Sequence, residues 1–342
     1  MAFLDYLHRV ASHSALSAEE AEAALALILE GQASVPLIAA FLVALRMKGE
    51  TVDELVGAAR AMRARMTRLT TPRGPLLDTC GTGGDAAHTF NVSTASAFVA
   101  AAAGARVAKH MGRSVSSASG SAEVLEALGA TIALTPEQTG QAIDQLGLGF
   151  MFAPSHHAAM KHAAPVRKDL GVRTIFNILG PLTNPAGAAN QVMGVFHPDL
   201  VGIQVRVLQR LGSQHVMTVY GLEGLDEISV SGETLVGELV NGEINEYTIH
   251  PQQFGIELYD RRAIQVNTVE ESRQMILAVL EGQPGPALNI VLLNAGAAIY
   301  VAGVADSLQA GVDRARRAIA KGEARGKLDA YVAFTKTVAA RR

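Results

Sequence analysis

From Leu76 onward, short apolar runs alternate with helical patterns, and this alternation narrows the fold more than any other feature of the chain. Leu76 to Asp78, Arg106 to Ala108, Thr131 to Leu134, Phe150 to Ala153, Val192 to Phe196 and Val216 to Tyr220 read as strands. Ser121 to Leu128, Pro136 to Leu146 and Leu200 to Leu211 read as intervening helices. Strands joined by helical crossovers lie parallel, and a parallel sheet must be covered by helices. Glu227 to Ile249, with the turn Asn241-Gly242, breaks the rhythm and predicts an antiparallel excursion at a sheet edge.

The first seventy residues show helix punctuation and little sign of strands. Ser17-Ala-Glu-Glu20 and Thr51-Val-Asp-Glu54 fit the capping box, and Gly31 and Gly49 stand where helices would end. Val35 to Met47 is apolar around most of its circumference, which suits a helix packed on two sides, against a partner subunit or within an all-helical core. The polar, proline-bearing Thr70-Thr-Pro-Arg-Gly-Pro75 marks the boundary. His156 to Leu182 carries helical segments and no convincing strand, and from Val269 the chain is helical again. The expected class is therefore α/β, with a small N-terminal helical domain and a large α/β domain whose mainly parallel central sheet is flanked by helices. Residues 1–71 form the first, with 160–187 returning to it, and 72–159 with 188–342 form the second.

A chain of 342 residues has room for about two domains. A formal charge of -3 gives no electrostatic footprint for nucleic acid or an anionic membrane, so anion binding should be local. The one cysteine, Cys80, excludes an internal disulfide, argues against zinc held by cysteine pairs and fits a reducing compartment. No signal peptide is visible, and a cytoplasmic location is expected. The most hydrophobic stretch, Asn289 to Ala305, contains Asn289 and Asn294 and reads as a buried helix instead of a membrane span.

Asp78-Thr-Cys-Gly-Thr-Gly-Gly-Asp85, followed by Asn91-Val-Ser-Thr94, lies between a predicted strand end and a helix start. Free amides and the positive helix end favour phosphate there, Gly81, Gly83 and Gly84 permit close approach, and Ser93 and Thr94 add hydroxyls. The run matches neither the Walker nor the dinucleotide fingerprint, and a plain glycine turn ahead of a capped helix would use the same residues. Lys109-His-Met-Gly-Arg113 places two cations and an imidazole at another strand end, and the serines from Ser114 to Ser121 read as a phosphate flap or a flexible surface loop. Asp226-Glu227, after the strand Val216 to Tyr220, offers hard oxygen ligands suited to Mg²⁺, although acidic turns are common on surfaces. His156, His157 and His162 crowd the helical interruption without a matching carboxylate or cysteine, so a metal there is disfavoured. Arg167 is the candidate to grip a planar carboxylate, with a surface ion pair as its ordinary alternative.

Taken together, these motifs resemble the anthranilate phosphoribosyltransferase family of tryptophan biosynthesis. The resemblance rests on Gly81-Thr-Gly-Gly-Asp85, Asn91-Val-Ser-Thr94, Lys109-His110 with Arg113-Ser-Val-Ser-Ser117, Ser119 to Gly129, Phe152-Ala-Pro154, Pro165-Val-Arg167, Arg173 to Pro185 and Gly224 to Ser229, and spans nearly the whole chain. It implies a helical domain hinged to the α/β domain, a homodimer through the helical domain, and transfer of phosphoribose from phosphoribosyl pyrophosphate to anthranilate with Mg²⁺. Gly81, Gly83, Gly84, Asp85, Thr89, Asn91, Val92, Ser93 and Thr94 match donor-binding positions. So do Lys109, His110, Met111, Gly112, Arg113, Ser114, Val115, Ser116, Ser117 and Ser121. Ser93, Asp226 and Glu227 match metal positions. Arg167 matches the arginine that meets anthranilate, with Gly81, His110, Gly112, His157, Gly180 and Pro181 around it, and Lys109, His110 and Arg167 are the catalytic candidates.

One departure stands out. The family pattern after Lys-His is Gly-Asn-Arg, whereas this chain has Met111-Gly112-Arg113. If the first position needs a positive φ, Met111 strains the backbone, and Gly112 loses an amide that meets the acceptor. The expectation is weakened or altered binding of the aromatic acceptor. A pyrimidine nucleoside phosphorylase is the alternative enzyme; Asp226-Glu227 and the intact glycine loop favour a diphosphate donor with metal. A silent paralogue that binds nucleic acid should be basic with eroded donor motifs, and neither holds.

Overall fold

The computed structural model describes residues 2–71, 74–113 and 119–340. Its centre is a seven-stranded sheet of β1 (Leu77–Asp78), β2 (Val107–Met111), β3 (Leu148–Phe152), β4 (Asn190–Gly194), β5 (His215–Gly221), β6 (Thr234–Val240) and β7 (Glu243–Ile249), in the order β3-β2-β1-β4-β5-β6-β7. The first five strands are parallel, and β6 and β7 join antiparallel at the edge. From β1 the chain builds outward to β2 and β3, then returns to start β4 on the other side. The order reverses between β1 and β4, and ligands of open α/β sheets bind beyond the strand carboxyl ends at such a reversal.

Residues on one strand alternate between two cores. Val192, Met217 and Val219 face a core shared with the helices Val92–Ala102, Pro286–Val301 and Glu323–Ala339, where Phe150 meets Phe98 and Tyr331. Met193, Val195 and Val216 face the other, with Val201, Val205 and Leu208 of the helix Asp199–Arg210. That second core continues into the N-terminal helices through Leu55, Val56 and Ala59, and takes in Val166, Ile175 and Ile178 of the 156–182 interruption.

Both expected capping boxes form, at Ser17/Glu20 and Thr51/Glu54. Glu54 is also buried, where its carboxylate accepts from Leu16 N, Thr51 N and Lys48 Nζ. Gly57 lets the helices Ala18–Leu29 and Val52–Arg65 cross tightly, since a Cβ there would lie 2.0 Å from the Ala18 carbonyl oxygen. The chain leaving this bundle is pinned twice by His156: its carbonyl accepts from Thr67 N at 2.8 Å and its Nδ1 lies 2.8 Å from Thr67 O.

Thr131 to Leu134 is not a strand. β3 is the edge of the sheet on this side, and the segment instead runs between two helices, with Thr131 N donating to Thr335 Oγ1 and Leu134 N to Ile132 O. Among the described residues, no helix is long and apolar enough to cross a membrane.

Candidate active site

The carboxyl ends of β1, β2, β4 and β5 bring the glycine loop, Lys109, Ser93 and the acidic turn to one place. A narrow cleft is lined by Thr79, Gly81, Ser93, Ser96, Gly194, Asp226, Glu227 and Asn294, among others. Lys109 is 2% exposed, and its ammonium donates to Thr79 O at 2.7 Å and Ser93 Oγ at 3.1 Å. Asp78, fully buried at the end of β1, accepts from Cys80 N, His110 N and Asn184 Nδ2. These bonds tie the start of the glycine loop to β2. Burial raises the Asp78 carboxyl to about 6, against the lowering pull of Lys109.

The glycine loop is held by its backbone. Thr82 N donates to Gly194 O at 2.8 Å, and Gly83 and Gly84 take φ of 63° and 80°, which glycine adopts without cost. Arg173 reaches across to donate to Gly84 O, its guanidinium lies 4.3 Å from the Phe196 ring centroid, and its own carbonyl accepts from Arg46 of the helical bundle at 2.5 Å. One arginine thus connects the bundle, the interruption and the loop. Arg173→Ala is expected to raise the KM for the diphosphate donor about tenfold, the loss of one charge-assisted contact that orders the loop, with the KM for the acceptor moved less than about twofold. Steady-state kinetics varying each substrate check this.

Asp226 and Glu227 are recessed in the cleft, still partly exposed but ringed by protein. Burial raises both carboxyls; Asp85 and Glu227 push Asp226 further up, while Lys109 partly offsets the rise at Glu227. This is excess negative charge with incomplete compensation. Among the described residues no set of three His, Cys, Asp or Glu side chains forms a self-sufficient metal cage. Two carboxylates and a hydroxyl beside a phosphate loop fit a hard cation that keeps waters and shares substrate oxygens.

Beside this cleft lies a histidine pair. His110 Nδ1 is 3.1 Å from Gly180 O, and the His110 and His157 rings are 5.0 Å apart. Both Nε2 atoms are buried without a protein partner. Burial drives His110 down to about 3, helped by the neighbouring His157, and His157 to about 4. Both are neutral imidazoles at pH 7. An unfolded histidine titrates near 6.5, so between the folded values and 6.5 the unfolded chain binds more protons, and stability must fall as pH falls. Asp78, raised from 3.8 to about 6, acts oppositely between those values. Asp226 and Glu227, whose carboxyls burial also raises, act with Asp78, so the histidine contribution is read by difference: on acidification from pH 7 to about 4.5, His157→Gln should lose less stability, or gain more, than the unsubstituted protein in urea unfolding, and an identical response would contradict a buried neutral ring.

Not every expected residue turns toward the cleft. Val92 sits in the core and its amide donates to Phe90 O. Asn91 is engaged with Ser119 and Ser272, Thr94 Oγ1 donates to Ser121 Oγ, and Thr89 bridges to Gln265. Arg113 makes paired 3.0 Å bonds to Glu126. Arg167 is half-buried, its guanidinium 5.5 Å from the Phe176 ring centroid, and Pro181 is buried beside Gly180, where a Cβ would meet open space. Ser114, Val115, Ser116 and Ser117 lie outside the described residues.

Residues 73–325 match the family described as glycosyl transferase family, a/b domain, and residues 4–66 match its helical bundle domain. A curated protein of Leptothrix cholodnii named anthranilate phosphoribosyltransferase is 60% identical over 338 residues, covering 98% of each chain. The chain belongs to the anthranilate phosphoribosyltransferase family. A relative of the same name from Chromobacterium violaceum is 58% identical, covering 96% of this chain and 97% of its own. Among solved structures, the anthranilate phosphoribosyltransferase of Thermus thermophilus superposes with a TM-score of 0.91 at 43% identity, covering 97% of this chain and 99% of that one. That of Saccharomyces cerevisiae in complex with PRPP and Mg gives 0.90 at 27%, covering 98% of each. These relatives carry the transferase name, not that of a nucleoside phosphorylase.

Within this family's pattern, the structure corrects the expectation of strain at Met111. Met111 closes β2, paired with Phe152, is buried, and does not have a positive φ. A strand position facing a core accepts methionine readily. Gly112 also lacks a positive φ, and a Cβ there would have nothing within 4 Å. An asparagine therefore fits without backbone strain. Gly112→Asn is expected to lower the anthranilate KM about fivefold, the worth of one added hydrogen bond, with the donor KM unchanged.

Several residues that shape the site were not singled out from sequence. Asp78 showed a signal, an acid closing an apolar strand run. Arg173 and Asn184 lay within a recognised motif and Asn294 interrupted an apolar run, but none showed its role, because each acts on groups far along the chain.

Proposed function

We propose that this chain transfers the 5-phosphoribosyl group of phosphoribosyl pyrophosphate to the amine of anthranilate, giving N-(5-phosphoribosyl)anthranilate and pyrophosphate. The observation that carries the reading is the meeting of the glycine loop, Lys109, Ser93 and the acidic pair at the sheet reversal, beside the His110–His157 pair. One region suits a diphosphate, and its neighbour a small aromatic.

In this reading the loop amides and Lys109 hold the donor, and Arg167 grips the acceptor carboxylate. The amine nitrogen bonds to the ribose carbon as the carbon–oxygen bond to pyrophosphate breaks, and the electron pair leaves with pyrophosphate. Lys109, fixed by Thr79 and Ser93, would stabilise the negative charge that develops on the leaving pyrophosphate. The attacking amine then loses a proton. With Nδ1–H donating to Gly180 O, His110 keeps an Nε2 lone pair, and a weak base suffices for so acidic a nitrogen. Mg²⁺ held by Ser93, Asp226 and Glu227 would supply neutralising charge for the diphosphate.

The helical bundle would carry a homodimer interface, supported by Leu4, Val35 and Met47, which are 45%, 59% and 75% exposed. A cytoplasmic location is consistent with the single free cysteine. The test is fluorescence-monitored loss of anthranilate with phosphoribosyl pyrophosphate, with and without Mg²⁺. Mg²⁺-dependent loss is expected. No loss in a folded preparation that still binds the donor, or Mg²⁺-independent phosphorolysis of a nucleoside, would overturn the reading.

A further inference from the structure

The helix Pro286–Val301 is apolar along nearly its whole buried length, with one interruption at the cleft. Asn294 is 3% exposed and lines the same cleft as Asp226 and Glu227. Its Oδ1 accepts from Ile228 N at 2.9 Å, and its Nδ2 donates to Ile228 O at 2.9 Å. The side-chain amide thus pairs with both backbone groups of the residue that follows the acidic pair, as a neighbouring strand would. A third bond, Nδ2 to Ile290 O at 2.9 Å, fixes the amide to its own helix and leaves one orientation that satisfies all three partners.

On the other side, the turn is wedged against β4: Gly194 has no side chain, and a Cβ there would fall 1.5 Å from Asp226 O. Ser96, across the cleft on the helix Val92–Ala102, has a buried hydroxyl without a protein partner. A helix serving only to fill the core would present an apolar residue in place of Asn294, because a buried amide gains little net stability over a well-packed apolar side chain.

We propose that Asn294 is a positioning residue for the Asp226–Glu227 pair: it locks the backbone beyond Glu227 so that both carboxylates are set for a divalent cation before the cation arrives. The inference rests on the transferase reading, in which this pair meets Mg²⁺.

The test uses the full chain as Asn294→Leu, which keeps volume and removes all three bonds, and Asn294→Asp, which keeps the acceptor for Ile228 N and removes the donor. Folding is checked by circular dichroism and urea unfolding. Mn²⁺ affinity is measured by electron paramagnetic resonance with phosphoribosyl pyrophosphate present and anthranilate absent, and the Mg²⁺ half-saturation of turnover is measured separately. A folded variant should bind Mn²⁺ about tenfold more weakly and need about tenfold more Mg²⁺, while the anthranilate KM moves less than about twofold. Mn²⁺ affinity within about twofold of the unsubstituted protein in either folded variant overturns the inference. So does failure of both variants to fold even in the cold, which would assign Asn294 a structural role alone. If the unsubstituted protein binds Mn²⁺ with the donor but consumes no anthranilate, the acceptor assignment fails and the positioning role stands; if it binds no Mn²⁺, the metal reading fails with it.

Discussion

Lys109→Met is expected to lower kcat/KM for the donor about a thousandfold, the scale of removing a preorganised charge from a transition state that develops negative charge. The methionine fills most of the volume, so the loss isolates the ammonium. Two structural costs accompany it: Thr79 O and Ser93 Oγ lose their donor, and Asp78 and Glu227 lose the cation that restrains the rise of their carboxyls. A stability loss on the order of 2 kcal/mol follows from the stranded carbonyl and hydroxyl. Steady-state kinetics and urea unfolding separate the two effects. A variant within about tenfold of the unsubstituted rate would remove Lys109 from the mechanism.

Gly194→Ala should be comparably damaging by a different route. Its Cβ would overlap Asp226 O at 1.5 Å, and the obstacle is backbone, which no rotamer change relieves. The acidic turn must move, and Gly81, whose own Cβ position lies 2.9 Å from Gly194 O, sits on the far side of the same strand end. We expect roughly a hundredfold loss of kcat/KM or more, from disordered charge at the leaving group, with a stability cost of about 3 kcal/mol or more. Gly112→Ala is the control, since its Cβ meets open space, and should leave stability within about 0.5 kcal/mol. Similar outcomes for the two alanines would show that steric contact at β4 is not what fixes the turn.

Strand and helix placement followed from patterning because a parallel sheet demands apolar runs with crossover helices, and β1, β2, β4 and β5 lie close to where those runs predict, while the strand order did not follow from it. Thr131 to Leu134 misled because its alternation reflects packing on neighbouring helices instead of a ladder. Met111 misled differently: a substitution at a position that is glycine elsewhere implies strain only if φ is positive, and sequence does not report φ. The chemical groups were legible as motifs at strand ends. What remained hidden was the scaffolding that aims them, Asn184 on Asp78, Arg173 on Gly84 and Asn294 on Ile228. Each is a side chain bonded across many residues to backbone or to a buried acid.

The helix Asp199–Arg210 gives one hydrophobic face to the sheet and to the N-terminal bundle at once. Arg63 of the bundle adds to this by donating from Nε to Leu182 O at 2.7 Å and from Nη1 to Leu211 O at 3.4 Å. A shared face of this kind makes the two parts thermodynamically one body even where their sequences divide cleanly. Calorimetry should therefore show a single cooperative transition, and a fragment ending near residue 66 should be molten in isolation, its share of the common core left open to water. Evolution of the two halves is then coupled through packing, so exchanging the bundle for that of a distant relative requires carrying this helix with it.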